Sequence, residues 1–86
     1  MRIIYKTKGT CSQSIAVEVR QGIIESVAFT GGCHGNTQGL SRLVAGMKVD
    51  EVIDKLEGIR CGNRTTSCPD QLSLALRTAR AMPPHP

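Results

Sequence analysis

The chain has 86 residues, a formal net charge of +4 and almost no aromatic side chains: one Tyr (Tyr5), one Phe (Phe29) and no Trp. That length fits one domain, with a core that is marginal unless a metal, a disulfide or a second subunit supports it. The eleven Lys and Arg are scattered singly from Arg2 to Arg80, which argues against a dedicated nucleic-acid surface when almost nothing can stack on bases.

No apolar stretch approaches the roughly 20 residues of a membrane span, and Met1 to Lys6 lacks the apolar segment of a secretory signal. A cytoplasmic location is therefore expected, and in a reducing compartment the four cysteines read as metal ligands or catalytic thiols before disulfides. The alternative for each is a small buried hydrophobe.

In chain order, Arg2 to Lys6 suggest a first strand and Thr7-Lys8-Gly9-Thr10 a loop leading to Cys11. From Ile15 to Arg20 the residues alternate, Ile15, Val17 and Val19 on one face and Glu18 and Arg20 on the other, the period of a half-buried strand. Gln21-Gly22 reads as a two-residue hairpin turn. The next strand, Ile23 to Thr30, puts Ile23, Val27 and Phe29 on one side and Ser26 and Ala28 on the other. Gly31-Gly32-Cys33-His34-Gly35-Asn36 ends it with a sharp turn.

Three helices are expected after that turn. The first carries Leu40, Leu43, Val44 and Met47 on one stripe with Gly46 near its end. The second carries Val49, Val52, Ile53 and Leu56, with Asp50 and Glu51 in its first turn, Lys55 in its last and Gly58 closing it. The third carries Leu72, Ala75, Leu76 and Ala79, with Arg77 and Arg80 towards its end. Residues 1–82 form one domain on this reading, and Pro83-Pro84-His85-Pro86 is a frayed tail. The fold class is α+β: a small antiparallel sheet of about three strands with three helices on one face. The aliphatic stripes could equally pair subunits, so a homodimer is expected.

The chemistry concentrates between Arg60 and Asp70. Pro69 suits the first turn of a helix, and Ser67 with Asp70 three residues on resembles a capping box with Asp in the usual Glu place. Cys68 would then open the helix, where unpaired N–H groups and the macrodipole favour thiolate over thiol and Arg60 and Arg64 add positive charge. Cys11, Cys33, Cys61 and Cys68 all fall in loops or at helix starts. If those loops share one edge of the domain, a tetrahedral ion held by four thiolates at about 2.3 Å is reasonable. No pair is Cys-x-x-Cys, so the spacing alone is weak. His34 is either a further donor or a solvated loop residue, Asp70 a cap or a base, and Arg64 a charge-balancing or a solvated side chain. The glycines Gly31, Gly32 and Gly35 lack the spacing of a phosphate-binding loop.

Thr66-Ser67-Cys68-Pro69-Asp70 resembles the signature of the TSCPD-domain family, and Gly31 to Asn36, Gly39-Leu40-Ser41 and Cys61 to Arg64 extend the likeness over nearly the whole chain. The resemblance implies an association with ribonucleotide reductases and DNA synthesis, since such domains occur at the C-terminus of the adenosylcobalamin-dependent enzymes. Short members tend to carry the label ribonucleoside-diphosphate reductase. A radical reductase needs a large barrel and a radical source, which 86 residues cannot house, so catalysis by this chain alone is not expected.

The layout is also similar to that of U-type iron–sulfur cluster scaffolds. By that likeness Cys11, Cys33 and Cys68 would be the cluster cysteines, with Gln13 where those proteins have a labilising Asp, Ser67 where they have His, and Cys61 an added thiol. Four thiolates without a labilising carboxylate suit a retained metal.

The functional expectation is a four-cysteine accessory domain holding zinc or, as the alternative metal, an iron–sulfur cluster, and working with ribonucleotide reductase or another reductase. A thiol–disulfide relay through Cys68 with Cys33 or Cys61 is the second reading. A nucleotide- or nucleic-acid-binding regulatory module is the third.

Overall fold

The structure is a computed structural model that describes residues 1–9, 12–31, 34–60, 62 and 66–81, with the backbone alone at 12 and 34–36. Cys11, Cys33, Cys61, Arg64 and the expected tail from Pro83 to Pro86 lie outside the described residues. Strands β1 (Arg2–Lys6), β2 (Ser12–Arg20) and β3 (Ile23–Gly31) form an antiparallel sheet in the order β1-β2-β3, followed by helices α1 (His34–Val44), α2 (Val49–Leu56) and α3 (Cys68–Ala81). This is the expected α+β architecture.

The β2–β3 hairpin turns through Gln21 and Gly22, whose φ angles are 53° and 78°, with Arg20 paired to Ile23. Two positive φ values in a two-residue loop define a type I′ turn, whose twist matches that of the strands. Gly22 adopts this conformation freely; Gln21 does so against its Cβ.

One expectation for β3 is corrected. Glu18 pairs with Ser26 but Val19 pairs with Ile24, so Glu25 is an extra residue on β3. This bulge reverses the alternation. Ile24, not Ile23, enters the core, at 0% exposure.

Ile24 also ties the helical half to the sheet. Its N–H donates to the Met47 carbonyl at 2.9 Å and its carbonyl accepts from the Gly46 N–H at 2.8 Å, while the Val49 N–H reaches the Gly22 carbonyl at 2.9 Å. The α1–α2 connection thus acts as a short strap along the outer edge of β3, made possible by the left-handed Gly46, φ 88°.

The core is aliphatic, as the composition requires. Ile3, Ile15, Val17, Ile24 and Val27 from the sheet meet Val44, Val49, Val52, Ile53, Leu72, Ala75, Leu76 and Ala79 from the helices, and Tyr5 and Phe29 are only partly buried beside them. The α2 and α3 stripes match expectation. In α1 the inward residues are Thr37 and Val44 with Leu40 and Ser41 half-buried, and Leu43 points to solvent at 74% exposure. Ser41 can take an inward position here because its hydroxyl donates to the Thr37 carbonyl one turn earlier, at 2.8 Å. Met47 reaches the core from the strap instead of from the helix.

Helices α2 and α3 run antiparallel: Arg80 near the end of α3 pairs with Asp50 at the start of α2, Asp70 at the start of α3 accepts from Gly58 just past the end of α2, and Arg77 reaches Glu57. The hydrogen bond and charge of Glu57 raise the Arg77 guanidinium above its ordinary value, so it stays charged. Both pairs are exposed and contribute orientation more than stability.

Replacing Gln21 by Asn, which tolerates the left-handed region, is expected to stabilise the fold by about 1 kcal/mol, a rise in Tm of roughly 4–8 °C. Thermal denaturation followed by circular dichroism checks it; an unchanged or lower Tm would show that the turn carries no strain.

Candidate functional site

The site is built outward from the start of α3. Ser67 is its N-cap: Ser67 Oγ accepts from the Asp70 N–H at 3.1 Å and donates to the Ile59 carbonyl at 2.6 Å. The Ser67 carbonyl accepts the first helical bond from Gln71 N–H at 2.8 Å. Pro69 sits in the first turn, where a missing N–H leaves no helical bond unmade. Cys68 is the first helical residue and is half-buried.

Only half of the expected capping box forms. Instead of folding back to the N-cap, the Asp70 carboxylate accepts from the Gly58 N–H at 2.7 Å through Oδ1 and from the Thr66 hydroxyl at 2.5 Å through Oδ2. Asp is one methylene shorter than the Glu of a standard box, and here it turns to nearer donors. Thr66 Oγ1 in turn accepts from Gln71 Nε2 at 2.9 Å, and Gln71 Oε1 accepts from the Lys8 N–H at 3.1 Å. Every group in this chain of bonds donates and accepts in the sense its chemistry allows. Thr66, Ser67 and Gln71 are buried, so an unmade bond here would carry its full desolvation cost.

The network joins three segments that are far apart in sequence: the β1–β2 loop at Lys8, the end of α2 at Gly58 and Ile59, and the first turn of α3. Packing reinforces it. Gly9 has φ +75°, and a Cβ there would lie 3.0 Å from Thr66 Cγ2. Gly9 and Gln71 were not singled out from the sequence. The available signal was a Gln directly after the pentapeptide, on the helical turn that faces the sheet.

Of the four expected ligands, Cys68 is the one among the described residues, and no group of three His, Cys, Asp or Glu side chains is gathered there. What the structure does describe is the flank of each cysteine. Gly9, two residues before Cys11, packs on Thr66, two residues before Cys68. Ser12, just after Cys11, pairs with Gly31, two residues before Cys33. Ile59, two residues before Cys61, accepts from Ser67. His34 opens α1. Arg60 and Lys8 are exposed close to this rim. Both Asp70 oxygens are engaged by the scaffold, one by the Gly58 amide and one by the Thr66 hydroxyl.

A separate open groove of about 330 Å³ runs between β3 and α1, lined by Val27, Phe29, Thr37, Gln38, Ser41 and Arg42 among others. Arg42 is the one cation among its described lining residues.

The fold and the rim define a small two-layer α+β domain whose last helix opens with a cysteine inside a hydrogen-bonded clamp. The profile of the TSCPD domain matches residues 3–80, and the chain belongs to that family. The family is associated with ribonucleotide reductases. No curated protein and no solved structure shows significant similarity to the chain. Among the described residues no helix is long and apolar enough to cross a membrane.

Three substitutions test the clamp. Asp70→Asn leaves one oxygen for two donors and is expected to cost about 1–3 kcal/mol in chemical denaturation; no loss would mean the network is not closed in solution. Gly9→Ala meets both a left-handed φ and Thr66, with an expected cost of roughly 1–3 kcal/mol. Thr66→Ser removes the methyl group that a Gly9 Cβ would touch, so the double variant should lose less than the sum of the singles.

Proposed function

We propose that this chain is a metal-binding accessory domain in which Cys11, Cys33, Cys61 and Cys68 hold one zinc ion, with an iron–sulfur cluster as the alternative, and that it works beside a ribonucleotide reductase or its cofactor supply in the cytoplasm. The observation that carries this reading is the convergence of the cysteines' flanks: Gly9 on Thr66, Ser12 opposite Gly31, and Ile59 bonded to Ser67. Four segments separated along the chain meet in pairs, and in the sequence each carries a cysteine one or two residues from its point of contact.

The donor chemistry suits the assignment. Thiolates are soft ligands that favour zinc or an iron–sulfur centre over hard cations. A four-thiolate zinc site is closed and supplies folding free energy, which an 86-residue chain with an aliphatic core needs. Two positive charges set against four negative ones leave about −2 at such a site; exposed Lys8 and Arg60 lie close by to offset it. The Thr66–Asp70–Gln71 clamp would fix the Cys68 backbone before metal arrives, and so orient the ligand.

Metal analysis of untagged protein purified without oxygen, joined to its visible spectrum, tests this. About one zinc per chain with no visible absorption is expected, falling at least roughly tenfold in affinity for Cys68→Ser, a loss of the size seen when a supporting group of a metal site is removed. Absorption with iron and sulfide would select the cluster. Metal-free protein with four titratable thiols overturns the reading, and a disulfide found in freshly isolated protein favours the thiol relay in its place.

A further inference from the structure

We propose that the outer edge of β1 is a docking site for an extended segment of another protein in which acidic and aliphatic residues alternate. The proposal stands on the sheet and is independent of the metal reading.

The hydrogen-bond phase of β1 is fixed at both ends. The Met1 ammonium donates to the Val19 carbonyl and the Val19 N–H donates back to Met1, each at 2.8 Å. Further along, the Thr7 N–H reaches the Gln13 carbonyl at 3.2 Å. In an antiparallel ladder such bonded pairs alternate with non-bonded ones, and the register Arg2↔Glu18, Ile4↔Ala16 and Lys6↔Ser14 puts these three residues in the non-bonded places. The N–H and C=O groups of Arg2, Ile4 and Lys6 therefore turn outward. No described residue pairs with them, whereas the opposite edge of the sheet is covered at Ile24 by the strap from Gly46 to Val49.

The same three residues present their side chains on the sheet face that the helices leave open. All three are exposed, Ile4 at 70%. A strand added here would place one side chain opposite Ile4 and one opposite each flanking cation, so the complement reads acidic, aliphatic, acidic at alternate positions. A second copy does not fit. The fully overlapped two-fold pairing about Ile4 sets Arg2 of one copy against Lys6 of the other, twice, and like charges directly opposite are destabilising. The charges that guard this edge against its own kind select an acidic strand. Beyond Lys6 the edge runs into the loop that packs on Thr66, so a segment held on β1 ends beside the cysteine rim.

The test uses the full chain and a fluorescent, end-capped heptapeptide Ser-Glu-Thr-Val-Thr-Glu-Ser, with a control carrying Lys in both Glu places. Anisotropy is expected to show binding of the acidic peptide at least roughly tenfold tighter than of the basic one, and weaker as salt rises. Ile4→Pro removes the central outward donor without touching a bond to β2, and Lys6→Glu reverses one flanking charge. Each should weaken binding by roughly tenfold or more with the circular dichroism spectrum retained. Equal binding of the two peptides, or binding indifferent to both variants, overturns the proposal. So does a dimer in sedimentation that Ile4→Pro abolishes, since a second copy would then own the edge.

Discussion

Asp70 accepts from two donors that belong to different parts of the chain, the Thr66 hydroxyl beside it and the Gly58 amide at the end of α2. Most of the rim follows from that carboxylate. Through Thr66 it reaches Gln71 and then the Lys8 amide, so a single side chain sets the spacing between the β1–β2 loop, the α2 exit and the α3 entry. Neutral donors feeding an anionic acceptor make stronger bonds than neutral pairs do, and the burial of Thr66 and Gln71 keeps water from competing. The Ser67 hydroxyl closes the other side by bonding Ile59. In the pentapeptide that marks the family, three of the five residues are thus structural fasteners, Pro69 suits the helical turn, and Cys68 is the first residue of α3.

This division explains how so small a chain holds its rim in one arrangement. The aliphatic core beneath the sheet is built from Ile, Val, Leu and Ala without an aromatic centre, and such cores are stable only by a small margin. Hydrogen bonds are directional where aliphatic contacts are not, so the clamp supplies position while the core supplies cohesion. The ion pairs of α3 with α2 lie in solvent and orient the two helices with little net gain.

Much of the fold could be read from the chain because its segments are strongly periodic. The stripes of α2 and α3 follow from spacing alone, and Gly22, Gly46 and Gly58 mark turns with positive φ. Where reading failed, a local rule met a competing one. Ile23-Ile24-Glu25 offers two aliphatic residues in succession, and only the pairing with β2 decides that Glu25 bulges and Ile24 turns inward. Leu43 fits an apolar stripe by count, yet Thr37 and Ser41 took the inward places, the Ser41 hydroxyl being satisfied within the helix. The capping box was half right because Asp70 found donors outside its own helix. Gly9 and Gln71 escaped notice since their partners are about 60 residues away in the chain, a separation that no local pattern encodes.

Tyr5 has a consequence of its own. It stands on β1, partly sunk against the core, and with no Trp anywhere in the chain it is the sole strong intrinsic fluorophore. Its emission therefore reports on one edge strand rather than averaging over the molecule. The near-ultraviolet background is otherwise almost blank, which makes this protein unusually transparent to any sulfur-to-metal charge-transfer band.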